Sequence, residues 1–219
     1  MRTLICGDSY CNIDSDYPGL HWSEKILNFN TDFEVINLSH GGCSNALIAM
    51  QLLQGLKFHP DFVILSFTSH GRYEFDNIVN RIPRSLEPLE IANYVKDRYT
   101  TNKYTMTEFQ EKANQAWLLE SSENFEKVKN YLYICFCLSM LKQSNINFCF
   151  SLGGFEYQQD YTAFLNSNYL TNIIQDYQQY ELSTNLWYHG QKAQPCFHVD
   201  NESIHELFAN ECIERITRG

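Results

Sequence analysis

Four short apolar runs, each closed by glycine or small polar residues, constrain this chain more than any other feature. Thr3 to Cys6 runs into Gly7-Asp8-Ser9, and Phe33 to Leu38 runs into Ser39-His40-Gly41-Gly42. Asp61 to Phe67, opened by Pro60, ends in Thr68-Ser69-His70-Gly71, and Ile146 to Leu152 ends in Gly153-Gly154. Runs of this length bounded by turn residues predict buried strands. Helical patterns lie between and after them. Ser44 to Leu56 carries Leu47, Ile48, Leu52 and Leu56 at helical spacing, Phe125 to Leu141 is apolar on most faces, and Tyr161 to Tyr180 is a further helical stretch. Asn201 to Ile216 closes the chain as an amphipathic helix with Ile204, Leu207, Phe208, Cys212, Ile213 and Ile216 on one side. Alternation of strand and helix predicts an α/β fold, a three-layer α/β/α sandwich with a central parallel sheet. Such sheets gather their functional groups at the carboxyl ends of the strands.

The chain has 219 residues, which suits one domain over 1–219. The stretch 77–122 fits the alternation worst: it carries Pro83, Pro88 and many polar residues, and reads as an insertion or lid over the strand ends. A formal charge of -10 and the lack of any Lys/Arg cluster exclude a general nucleic-acid binder. The first apolar run is too short for a signal-peptide core. No run approaches the roughly 18 apolar residues of a membrane span, so the expectation is a soluble, cytoplasmic protein. The eight cysteines form no CxxC pair, so they read as buried free thiols and not as a metal site. Neither GxGxxG nor a P-loop follows any strand, which places a nucleotide-binding domain last among the readings, and no cofactor is implied.

Chemistry therefore has to come from side chains at the strand ends. Ser9 stands just after the first strand, where it reads either as a helix cap or as a nucleophile opening the next helix, with backbone N–H groups at hand. Gly42 offers a flexible backbone donor after the second strand. Near the carboxyl terminus, Phe197-His198-Val199-Asp200 puts a histidine immediately before the last helix. In these blocks and their order the sequence resembles the SGNH hydrolases, also called the GDSL esterases and lipases. Their first block is GDS, their second holds a glycine, their third is usually GxND, and their last is DxxH followed by a helix.

The resemblance implies a flavodoxin-like SGNH hydrolase fold and a serine hydrolase that cleaves an acyl or acetyl ester through a Ser9 acyl-enzyme. The substrate would be a small-molecule or carbohydrate ester. His198 would be the general base, and the N–H groups of Ser9 and Gly42 would form part of the oxyanion hole. Two blocks depart from the family pattern. Ser69 falls where the oxyanion-hole asparagine usually stands, so the hole could borrow Asn45. Pro195 falls where the usual acid stands, which leaves Asp200 either to orient His198 or to cap the terminal helix. His205 is the rival base.

Thr68-Ser69-His70-Gly71-Arg72 resembles a variant third block. There Arg72 reads either as a contact for an anionic substrate group or as an ion pair fixing the loop, and His70 as a substrate contact. The two departures also motivate an alternative, a catalytically impaired SGNH-fold protein acting as a binding module.

Overall fold

A computed structural model describes residues 1–13, 19–29, 32–69, 72–75, 78–81, 112–113, 115–116, 123–153, 168–186, 188–189 and 202–218. Four parallel strands form the central sheet: β1 (Arg2–Gly7), β2 (Glu34–Asn37), β3 (Phe62–Phe67) and β6 (Asn147–Leu152), in the order β2-β1-β3-β6. These are the four apolar runs read from the sequence. In register, Ile5 lies opposite Asn37 on one side and Ile64 on the other, and Ile64 lies opposite Cys149.

Two layers of helix cover the sheet. The helices are α1 (Trp22–Phe29), α2 (Asn45–Gly55), α3 (Glu123–Gln143), α4 (Asn168–Gln175) and α5 (Glu202–Arg218). Because side chains alternate along a strand, each strand feeds both layers. Leu4, Cys6, Val63, Leu65, Phe148 and Phe150 face one core with Ile48 and Leu52 of α2, Ile134 and Leu138 of α3, and Ile174 of α4. Ile5, Ile64 and Cys149 face the other core with Trp22 and Ile26 of α1 and Phe208, Cys212 and Ile216 of α5. The chain is an α/β sandwich with a parallel sheet at its centre.

Three elements differ from the sequence reading. Ser9 opens no helix: the chain turns, with the Cys11 N–H donating to the Asp8 carbonyl over 3.0 Å, and α1 begins only at Trp22. A two-stranded antiparallel hairpin, β4 (Arg72–Phe75) and β5 (Ile78–Arg81), follows the third loop. The helix read over 161–180 is described from Asn168, stops at Gln175 and passes into a 3-10 turn at Gln178–Tyr180. Most of the 77–122 stretch lies outside the described residues. Among the described residues no helix is long and apolar enough to cross a membrane, and no cluster of His, Cys, Asp and Glu could hold a metal. Seven cysteines are described, and all are buried and free. Burial pushes the Cys135 and Cys137 thiols up to about 12, so both stay protonated and inert.

Candidate active site

In the sheet order the chain leaving β1 runs to β2 on one side and the chain leaving β3 runs to β6 on the other, a switch point at whose carboxyl end such sheets open a crevice. Ser9 stands there, two residues past the end of β1, and three loops converge on it.

The first loop is organised by Asp8. Its carboxylate is almost fully buried, at 1% exposure. Oδ1 accepts the Tyr10 N–H at 2.9 Å, and Oδ2 accepts both the Thr68 hydroxyl and the Arg72 Nη1, each at 2.8 Å. A buried carboxylate persists as an anion only with such company. The preceding residue, Gly7, is clamped by Gln51 of α2, whose Oε1 accepts the Gly7 N–H at 2.8 Å while Nε2 donates back to the Gly7 carbonyl at 3.2 Å. Only glycine fits this position, since a Cβ would stand 2.3 Å from the Cys11 Sγ. On the opposite side of the turn, Trp22 Nε1 donates to the Tyr10 carbonyl at 2.7 Å and His21 Nε2 lies 3.1 Å from the same oxygen. A carbonyl can only accept, so the His21 proton sits on Nε2, leaving Nδ1 to accept from the Ser23 hydroxyl at 2.7 Å.

The second loop lies alongside. The His40 N–H and the Cys43 thiol both donate to the Gly7 carbonyl, at 3.1 and 3.3 Å. Asn37 Nδ2 donates to the Cys11 carbonyl at 2.9 Å. A Cβ built on Gly41 would be 3.9 Å from that of Ser9, so the second loop flanks the serine directly. Gly42 has φ 83°, a left-handed conformation that side-chain-bearing residues rarely adopt. Ser44 then caps α2, its hydroxyl accepting the Ala46 N–H at 3.1 Å. Among the described residues, neither the Ser9 N–H nor the Gly42 N–H has a hydrogen-bond acceptor.

Asn45 joins the second loop to the third. Its side chain is wholly buried, its Oδ1 accepts the Thr68 N–H at 2.8 Å, and its Nδ2 donates to the Thr68 carbonyl at 2.8 Å and to Asn130 Oδ1 of α3 at 2.9 Å. Both amide hydrogens are thereby used. The expectation that Asn45 lends a donor to the oxyanion hole is corrected on this point: it is the clip that fixes the third loop. Ser69 follows the clip and is half-buried at the mouth of the loop, its carbonyl accepting the Arg72 N–H at 3.3 Å. Of the two readings of Arg72, the ion pair describes it. The side chain is 5% exposed and pairs with Asp8, so it is no open contact for a substrate anion.

His70, Pro195, His198 and Asp200 lie outside the described residues. His205 stands on α5, largely buried, with its ring 5.0 Å from that of His21 on the far side of the Ser9 turn. The structure thus brings Ser9, Gly42, Asn45, Ser69 and Arg72 together at the carboxyl ends of β1, β2 and β3. Gln51, Asn130 and Trp22 take part without any local sequence signal that marks them. Asp8 could have been suspected, as an acid fixed beside the serine with Arg72 as its natural counter-ion.

Three solved structures resemble this one over nearly the whole chain. The psychrotrophic esterase EstA from Pseudoalteromonas sp., solved as inhibited by monoethylphosphonate, gives a TM-score of 0.54 at 13% identity, covering 99% of this chain and 97% of that one. The acetyl xylan esterase AlAXEase gives 0.52 at 11% identity, covering 99% and 100%. A member of the lipolytic G-D-S-L family from Veillonella parvula gives 0.50 at 13%, covering both chains in full. The chain has the fold of the GDSL, or SGNH, esterases. At these identities the likeness is one of fold, and no protein-family model and no curated protein sequence matches the chain.

Proposed function

We propose that the protein is a serine ester hydrolase of the SGNH type, with Ser9 as its nucleophile. One observation carries the reading. Ser9 sits at the crevice beside the central strand, its own N–H and that of Gly42 are both without an acceptor among the described residues, and the turn that holds it is tied from both sides.

In this reading the Ser9 Oγ attacks the ester carbonyl carbon while His198 takes its proton. The carbonyl oxygen becomes an oxyanion held by the N–H groups of Ser9 and Gly42, with the Ser69 hydroxyl as third donor. Each such donor is typically worth about 3 kcal/mol in the transition state. Collapse breaks the bond to the alcohol oxygen, which leaves with the proton held by His198, and the acyl group remains on Ser9. Water, deprotonated by His198, then attacks the acyl carbon and regenerates the serine. Asp200 orients the imidazole. The resemblance to an acetyl xylan esterase makes acetylated carbohydrates the first substrates to try, with short-chain acyl esters beside them.

The test is hydrolysis of 4-nitrophenyl acetate and of acetylated xylan by purified protein, compared with Ser9→Ala and His198→Ala. The expected outcome is a loss of at least about 1000-fold in kcat/KM in either variant. Equal rates in native protein and Ser9→Ala would remove the serine from the mechanism. A native protein that turns over no ester, yet is thermally protected by acetylated sugars, would favour the binding-module alternative.

A further inference from the structure

We propose that Arg72 is a positioning residue, one that sets Ser9 and Gly42 in place relative to each other; this rests on reading those two residues as nucleophile and oxyanion donor. A single nitrogen makes the connection. Arg72 Nη1 pairs with Asp8 Oδ2 at 2.8 Å and donates to the Cys43 carbonyl at 3.5 Å. Asp8 immediately precedes Ser9, and Cys43 immediately follows Gly42. One guanidinium at the end of the third loop therefore holds the neighbours of both groups that would meet at the reacting carbonyl. Thr68, one residue before Ser69, adds its hydroxyl to the same Asp8 oxygen at 2.8 Å, so the first and third loops share one carboxylate and the guanidinium ties the second loop to them.

The energetics favour positioning over simple cohesion. Both partners are nearly dry, at 5% and 2% side-chain exposure, and a buried ion pair gains little stability over apolar residues of the same size. The Arg72 Nε is also buried, with no hydrogen-bond partner among the described residues. A guanidinium retained only for stability would leave no such donor unpaired, because each buried orphan costs free energy. What the arrangement supplies is a fixed distance between two loops. Misplacing a reacting group by about 1 Å can cost about 100-fold in rate.

Arg72→Gln alone leaves the Asp8 carboxyl in the interior without its counter-ion, a change that threatens folding itself. The informative variant is Asp8→Asn/Arg72→Gln, which removes both charges together and with them the bridge to Cys43. Arg72→Lys keeps the charge without the planar fork. Two readouts are taken on each folded variant: the second-order rate of Ser9 modification by a fluorophosphonate, and hydrogen–deuterium exchange of peptides covering 5–12, 39–46 and 203–216.

The double variant should label about 100-fold more slowly per folded molecule. Exchange should rise in the first two peptides and stay unchanged in α5, with Arg72→Lys intermediate. Labelling within threefold of the native rate with unchanged exchange in both loops overturns the proposal, as does a rise spread evenly over all three peptides. If the native protein takes up no fluorophosphonate, the hydrolase reading fails by itself. The exchange arm then decides alone: a rise confined to the two loops supports Arg72 as the element that positions them, and no rise refutes it.

Discussion

The two faces of the sheet hold the Ser9 turn by different means. On the α2/α3 face the grip is made of amides: Gln51 brackets the Gly7 peptide, and Asn45 brackets the Thr68 peptide while leaning on Asn130. On the α1/α5 face it is aromatic. Trp22 and His21 both direct ring N–H groups at the Tyr10 carbonyl, backed by Phe208 at 4.8 Å from Trp22 and by His205 at 5.0 Å from His21. Amide clips fix the backbone direction of the loops that would form the oxyanion hole. Ring packing fixes the height of the turn while tolerating small shifts, since apolar contact is not directional. The amide face should therefore be the less forgiving of substitution.

The sharpest break of that comparison is Asn45→Ala. It strands the Thr68 N–H and the Thr68 carbonyl in a dry environment and takes a donor from Asn130 Oδ1, and should lower stability by about 3 kcal/mol in urea unfolding. Asn45→Asp keeps the acceptor for the Thr68 N–H but turns a carboxylate oxygen toward the Thr68 carbonyl and Asn130 Oδ1, so it should recover none of the loss. If Asn45→Ala unfolds at the native urea concentration, the amide clips are not what hold the third loop.

Trp22→Phe tests the aromatic face more gently. Most of the packing against Phe208 survives, and the Tyr10 carbonyl keeps its bond from His21, so the loss should be about 1 kcal/mol by the same measurement. A larger effect than that of Asn45→Ala would invert the ranking of the two faces.

The smallest effect concerns the anchoring of α5. Partial burial pushes the Glu211 carboxyl up, but the N–H groups of Ser183 at 2.5 Å and Thr184 at 3.0 Å outweigh this and hold it below its ordinary value of 4.5. A folded pKa below the unfolded one contributes stability that is present above pH 4.5 and lost as the pH falls below it. The group is partly exposed and screened by solvent, so Glu211→Gln should cost under ~1 kcal/mol at neutral pH, a Tm change of about 2 °C. That difference should shrink as the pH falls below 4.5 and the native carboxylate takes up its proton. A Tm difference independent of pH would show that the helix is anchored by packing alone.

How far the sequence itself leads varies from residue to residue along the chain. All four sheet strands are legible because each is an apolar run with turn residues at its ends, a signal that needs no partner to be read. Gly42 is legible as a glycine after a strand, and the structure gives the reason in its positive φ. The hairpin β4–β5 and the eight-residue α1 are not legible, for they span too few residues to show a period. The Asn45–Asn130 bond is harder still, since 85 positions separate its partners and neither asparagine stands in a pattern. Arg72 is an intermediate case. Its charge beside a serine loop admits two readings, and only the buried carboxylate of Asp8 decides between them.

The central claim is that Ser9 is an activated nucleophile. Intact-mass analysis after treatment with a fluorophosphonate, on native protein, Ser9→Ala and His198→Ala, addresses it directly. One phosphonyl group per native molecule and none on either variant is the expected result. Native protein that stays unmodified, or Ser9→Ala that is modified as fast as the native chain, would contradict it.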